Sequence, residues 1–196
     1  MRNAEFSSIA LDESSSNRLS EGQSGLFYLQ KHPASGTYYS FAQGISPIGD
    51  KDEGFKAEFA KAKACTGALN DPVKALQAGE AEDRLSAAHV LVEKYRRVVA
   101  GRTKEVAIPD EETKLILKAI LEADWGLDGR PEAGFNSAKP APLLAYRLSL
   151  SAGSQGVPAV LTKPGESYTD KWKGAVKAWY EKEGAKFEIK KYVDEK

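Results

Sequence analysis

The spacing of apolar residues divides the chain. Before about residue 50 they come in short aromatic runs; after it they recur at helical intervals. Phe6, Ile9 and Leu11 suit one short strand, whereas the polar stretch 12–17 buries nothing and reads as a loop or as disordered. Residues 25–30 and 37–41 are aromatic and strand-prone, and Pro33 and Gly36 interrupt them, which predicts a hairpin with a longer loop. A lone hairpin is marginal in water, so these strands need further strands or a helical face to cover them.

From Glu53 the period becomes helical. Phe55, Phe59 and Ala62 lead into Cys65 and Leu69. Asp71 before Pro72 marks a restart, because an aspartate can accept from free amides where proline gives up none that is needed. A short helix to Gln77 follows, closed by Gly79. The clearest helix runs over about 81–99: Leu85, Ala88, Val92, Tyr95 and Val99 form one stripe, and Gly101 stops it. Beyond Pro109 a second strong helix is expected, with Asp110 as cap and Glu111 and Glu112 opposing the positive end of its dipole. Leu115, Ile116, Leu117, Ala119, Ile120 and Leu121 make it the most buried element.

Residues 126–142 read as a long loop, 143–150 as a short helix and 151–165 as another loop rich in glycine and proline. Ser167 and Asp170 have capping-box spacing, and Trp172, Val176, Trp179 and Tyr180 supply the apolar face of a helix ending at Gly184. Residues 186–193 alternate, with Phe187, Ile189 and Val193 on one side, which predicts a terminal strand. The fold class expected is α+β: an N-terminal β-hairpin or small sheet over residues 1–50, then a mainly helical domain over 51–196 with a four- to five-helix core closed by a C-terminal strand. Leu85, Val92, Leu115, Ile116, Ile120, Trp172, Val176 and Trp179 are its expected core.

Charge adds little. The 196 residues carry 28 Lys and Arg against 28 Asp and Glu, and the balance by region is −3 over 1–54, +2 over 55–100, −1 over 101–150 and +2 over 151–196. No block is basic enough for a nucleic-acid arm, and no field draws the chain to an anionic membrane. The single cysteine excludes an internal disulfide, and two histidines leave little for a cysteine/histidine metal site. No apolar stretch approaches the ~20 residues of a membrane span, and residues 1–20 lack the apolar core of a secretory signal. A soluble, cytoplasmic chain is expected, or an exported one if the true N-terminus lies upstream.

Each chemically capable residue also has a structural reading. His89 lies beside Ala87 and Ala88, and no neighbour in sequence orients it as a general base; a boundary residue bonded to backbone or water is expected. His32 reads as a turn residue. Cys65 falls late in its helix, where the dipole disfavours a thiolate, so a small core or boundary residue is expected. Glu111 with Glu112, and Glu80 with Glu82 and Asp83, are near neighbours on helices and do not converge on one atom. Residues 153–156 (Gly-Ser-Gln-Gly) lack the lysine and spacing of a phosphate loop. Lys171, Lys173, Lys177, Lys186, Lys190 and Lys191, with Trp172, Trp179 and Tyr192 between them, have the composition of a nucleic-acid surface, but intervening acids dilute it and the tryptophans share the apolar face. No catalytic, cofactor-binding or metal-ligating residue and no cofactor is assigned. A non-enzymatic structural or protein-interaction module is favoured, with another protein as partner. The alternatives are a cofactor-free hydrolase with a site in the 126–166 loops, built from residues such as Asp128, Arg130, Tyr146 and Arg147, and a nucleic-acid-binding helical domain.

The run Glu82-Asp83-Arg84-Leu85-Ser86-Ala87-Ala88-His89-Val90-Leu91-Val92-Glu93-Lys94-Tyr95-Arg96 resembles a segment of uncharacterised exported proteins of planctomycete-type bacteria. So do Ile108-Pro109-Asp110-Glu111-Glu112-Thr113-Lys114-Leu115-Ile116-Leu117 running on to Trp125, the segment Ala145-Tyr146-Arg147-Leu148, and the C-terminal Lys186-Phe187-Glu188-Ile189-Lys190-Lys191-Tyr192-Val193. The likeness covers about residues 55–193 and implies no activity, cofactor or active-site residue. It implies a signal sequence and a small β-domain ahead of the helices, of which residues 1–50 would be the last strands.

Overall fold

The computed structural model describes residues 24–26, 29–31, 38–40, 48–97, 104–126 and 140–194. The protein is α+β, and its chain divides into two compact units, Met1–Lys63 and Ala64–Lys196.

In the first unit β1 (Gly25–Leu26) pairs antiparallel with β4 (Ile48–Gly49), and β2 (Leu29–Lys31) with β3 (Tyr38–Ser40). The second pair is the expected hairpin. The run 25–30, read as one strand, is instead shared between two ladders. A Cβ on Gly25 would stand 2.3 Å from the Ile48 carbonyl oxygen, so only glycine permits this approach. Asp52 turns the chain after β4 by accepting from the Gly49 amide at 2.6 Å, and its carbonyl accepts from the amide of Phe55, the first residue of α1 (Phe55–Asn70). The expected strand at Phe6, Ile9 and Leu11, the loop 12–17 and His32 lie outside the described residues.

The second unit is built around α3 (Ala81–Arg96) and α4 (Asp110–Glu122), joined by α2 (Pro72–Leu76), α5 (Pro140–Arg147) and α6 (Tyr168–Glu183). Asp71 caps α2 by accepting from the Lys74 amide at 3.2 Å, and Ser167 caps α6 by accepting from Asp170 at the same distance. Leu91, Val92, Ile116, Ile120, Leu144, Trp172 and Val176 are essentially sealed from solvent. Trp125 and Trp172 have apolar rings and polar N–H groups, and both parts are satisfied. Trp125 donates to the Ile120 carbonyl at 2.7 Å and Trp172 to that of Leu150 at 2.8 Å, while the two rings meet edge-on with centroids 5.1 Å apart.

Several boundaries and environments differ from expectation. The long helix stops at Arg96, and Val99 and Gly101 lie outside the described residues. Pro109 occupies the N-cap position of α4, so Asp110 is the first helical residue and caps nothing. The helix read over 143–150 starts at Pro140 and ends at Arg147. Leu85 and Leu115 are half-buried, at the margin of the core rather than in it. Cys65 and Leu69 are exposed, because only Ala68 of α1 is buried. Glu112, read as a first-turn acid opposing the helix dipole, is in the first turn of α4 but buried there, only 5 % exposed.

The C-terminal strand is shorter than its alternating pattern. A 3-10 turn (Gly184–Lys186) follows α6, and strand pairing begins only at β6 (Lys190–Val193). Its partner, β5 (Lys104–Ala107), carries no periodic signal because all four of its residues are exposed. The antiparallel register sets Lys104 against Val193 and Ala107 against Lys190, and Ile108 continues it by donating to the Ile189 carbonyl at 2.9 Å. Among the described residues no helix is long and apolar enough to cross a membrane.

Candidate functional site: a charged cleft at two helix ends

Both α3 and α5 end in an arginine, where a cation offsets the negative end of the helix dipole. The two ends border a cleft of about 360 Å³ completed by Glu105 of β5, the turn at Gln155 and the chain from Lys186 to Lys190. Its base is apolar. Leu148 and Ile189 are buried, and Phe187 stands edge-on to Trp179 with centroids 5.2 Å apart. Arg96, Arg147, Lys186 and Lys190 line the cleft together with Glu105 and Glu188.

The arginines are held by neighbours. Arg96 donates to Glu105 at 2.9 Å, and its guanidinium carbon lies 5.2 Å from the centroid of the Tyr192 ring. Arg147 reaches Glu93 Oε1 at 2.5 Å, and the same oxygen lies 3.5 Å from His89 Nε2. His89 is thus a boundary residue as expected, but a carboxylate one turn along the helix is what faces it. It does not line the cleft.

Two backbone features shape the rim. Among the described residues only Ser149 and Gln155, apart from glycines, have positive φ, at 60° and 49°, and both line the cleft. Ser149 follows the end of α5. Its amide donates to the Tyr146 carbonyl, and that of Leu150 to Ala145, both at 2.9 Å, the Schellman arrangement in which glycine is the usual residue. Gln155 and Gly156, with φ 80°, are the centre of a tight turn closed by the Val157 amide on the Ser154 carbonyl at 2.7 Å. Two successive positive φ values define a type I′ turn, which favours asparagine over glutamine at its first central position. Ser154 stitches the two features together, its one hydroxyl proton shared between the carbonyls of Ser149, 2.5 Å from the hydroxyl oxygen, and Ser151, 2.7 Å from it. Two amides of the 153–156 segment are used internally: Gly153 donates to the Val157 carbonyl and Ser154 to that of Ser151.

The other residues singled out from the sequence do not assemble into one site. Glu80, Glu82, Asp83 and Glu111 are exposed at separate helix starts. Glu112 accepts from the Tyr95 hydroxyl at 2.5 Å in the α3–α4 contact, and burial together with that carboxylate pushes the phenol well above its usual range. Trp172 and Trp179 are buried, Tyr192 lies under Arg96, and Lys173 is tied to the Ala123 carbonyl at 2.7 Å. Lys171 binds exposed Glu166 at 2.5 Å; that hydrogen bond, with one from the Lys163 amide, lowers the carboxyl's pKa. Tyr146 is exposed and Arg147 alone of the hydrolase set borders the cleft, with Asp128 and Arg130 outside the described residues. No group of His, Cys, Asp and Glu among the described residues could hold a metal ion. Sequence reasoning missed Arg96, Glu105, Ser149 and Gln155 as a set; basic residues at two helix ends were the one available signal.

No protein-family model, curated protein or solved structure matches the chain.

Proposed function

We propose that the chain is a non-enzymatic protein-interaction module that uses the cleft between the ends of α3 and α5 as its recognition surface. The observation that carries this reading is that Ser149 and Gln155, the two side-chain-bearing residues at positive φ among the described residues, both line one cleft. A left-handed residue with a Cβ costs of order 1 kcal/mol and persists where the surroundings over-determine it, as they do at ligand clamps. A lining in which charged side chains stand beside Leu148, Phe187 and Ile189 also gives a partner both polar and apolar groups to meet. A hydrolase needs a base within reach of a nucleophile, and the hydroxyl at the cleft, Ser149, has no histidine beside it among the lining residues. A nucleic-acid surface is disfavoured by the burial of Trp172 and Trp179.

The test is amide chemical-shift mapping of the labelled chain against a panel of short peptides of varied charge. Binding that moves Ser149, Gln155 and Lys190 together supports the module. Turnover of an ester or amide substrate that Arg147→Ala abolishes would refute it.

A further inference from the structure

We infer that the ligand of this cleft is an acidic, extended peptide segment whose carboxylates are received by Arg96 and Arg147. The inference rests on the interaction-module reading and adds the chemistry of the partner.

Four cations and two carboxylates line the cleft. Three of the cations have carboxylate neighbours: Arg96 with Glu105, Arg147 with Glu93 and Lys186 with Glu183. Those pairs are exchangeable. The arginine side chains are 31 % and 41 % exposed, and in that solvent-screened setting an ion pair contributes little net stability, so an incoming carboxylate loses little by displacing the resident one. The guanidinium is suited to the exchange because it carries five N–H donors in a planar fork and can hold one acid while receiving another. Arg96 is further fixed by the Tyr192 ring beneath it. Freezing the arm in advance reduces the entropy lost on binding.

An extended ligand follows from the sheet register. The Ile108–Ile189 hydrogen bond makes that a bonded pair, so the next pair, Ala107 and Lys190, is a non-bonded one. The Lys190 N–H and C=O therefore turn away from β5, and Lys190 borders the cleft. A strand-like segment can use these groups while alternate side chains meet the Leu148–Phe187 base and the arginines. Glu105 and Glu188 argue against a nucleic acid, since a continuous phosphate chain would meet both, whereas the carboxylates of a peptide can be spaced to avoid them.

The experiment titrates the labelled full chain with three peptides of equal length, alternating apolar residues with Glu, Gln or Lys, and with inorganic phosphate and a single-stranded oligonucleotide. The Glu peptide should move Ser149, Gln155, Glu188 and Lys190, bind about tenfold more tightly than the Gln peptide, and weaken as salt rises. Arg96→Gln and Arg147→Gln should each weaken it about threefold or more while leaving the rest of the amide spectrum native, and Lys190→Gln, at an exposed position, provides a variant that does not risk the fold. Equal binding of the Gln peptide at the same amides overturns the acidic ligand and leaves the module standing. Shifts as large with phosphate alone, or tighter binding of the oligonucleotide, overturn the peptide. No peptide moving the cleft amides overturns both readings.

Discussion

Replacing Tyr95 by phenylalanine removes one oxygen from the contact between α3 and α4 and leaves the ring. That oxygen donates to Glu112 Oε1 at 2.5 Å, and the two residues are 7 % and 5 % exposed, so water cannot readily take its place. A hydrogen bond to a charged acceptor contributes about 1.5–3 kcal/mol, and losing it leaves a buried carboxylate without that donor. Glu112 lies in the first turn of α4, where the helix dipole returns roughly 0.5 kcal/mol. A loss of about 2 kcal/mol is expected for Tyr95→Phe. Glu112→Leu should cost a similar amount, and the double variant distinctly less than the sum, because no polar group is then stranded. Urea unfolding followed by tryptophan fluorescence reads this unit alone, since all three tryptophans lie in Ala64–Lys196. The pH dependence has a definite sign. The folded phenol's pKa lies above its unfolded value near ~10, so its contribution is complete below that pH and is lost as pH rises through the higher folded value. Wild type should therefore lose stability relative to Tyr95→Phe under alkaline conditions. A Tyr95→Phe cost below about 0.5 kcal/mol, with Glu112→Leu strictly additive to it, would refute the reasoning.

Other substitutions test separate contacts. Thr113 Oγ1 is buried with no hydrogen-bond partner, so Thr113→Val should stabilise the unit by about 1 kcal/mol in the same urea assay. Ser149→Gly should raise stability by about 0.5–1 kcal/mol, by relieving a left-handed residue at φ 60°, and should weaken cleft binding if the serine side chain serves recognition. Gly184→Ala sets a Cβ 2.3 Å from Tyr180 Cδ2 and should cost about 1–3 kcal/mol, with a shifted Tyr180 ring resonance as its signature. Lys171→Met should return the Glu166 carboxyl towards its ordinary pKa, as followed by carbon-detected titration of that side chain.

Local chemistry was legible in the sequence and long-range assembly was not. The caps at Asp71 and Ser167 lie three residues from the amides they serve, and both were readable. The Trp172, Val176 and Trp179 stripe repeats at the helical period and is buried as read. β5 was invisible because Lys104, Glu105, Val106 and Ala107 are all exposed and show no alternation. The cleft depended on it, since Glu105 reaches Arg96 only where β5 meets β6. Ser149 concealed a helix end that glycine would have marked. Glu112 could have been found: it shares an i, i+4 row with Ile116 and Ile120, so a carboxylate at that position faces the core rather than solvent.

The ladder between β5 and β6 joins segments more than eighty positions apart, from Lys104 paired with Val193 to Ala107 with Lys190. During synthesis Glu105 and Arg96 emerge long before the residues that complete their surroundings. The four helices from α2 to α5 can associate through more local contacts, but the cleft lacks the wall at Lys190 until β6 has paired with β5, a closure that spans a long loop. Closing the cleft is therefore expected late in folding, after the helices have packed, and hydrogen-exchange protection at Ile108 should appear after that at Leu91 and Ile120.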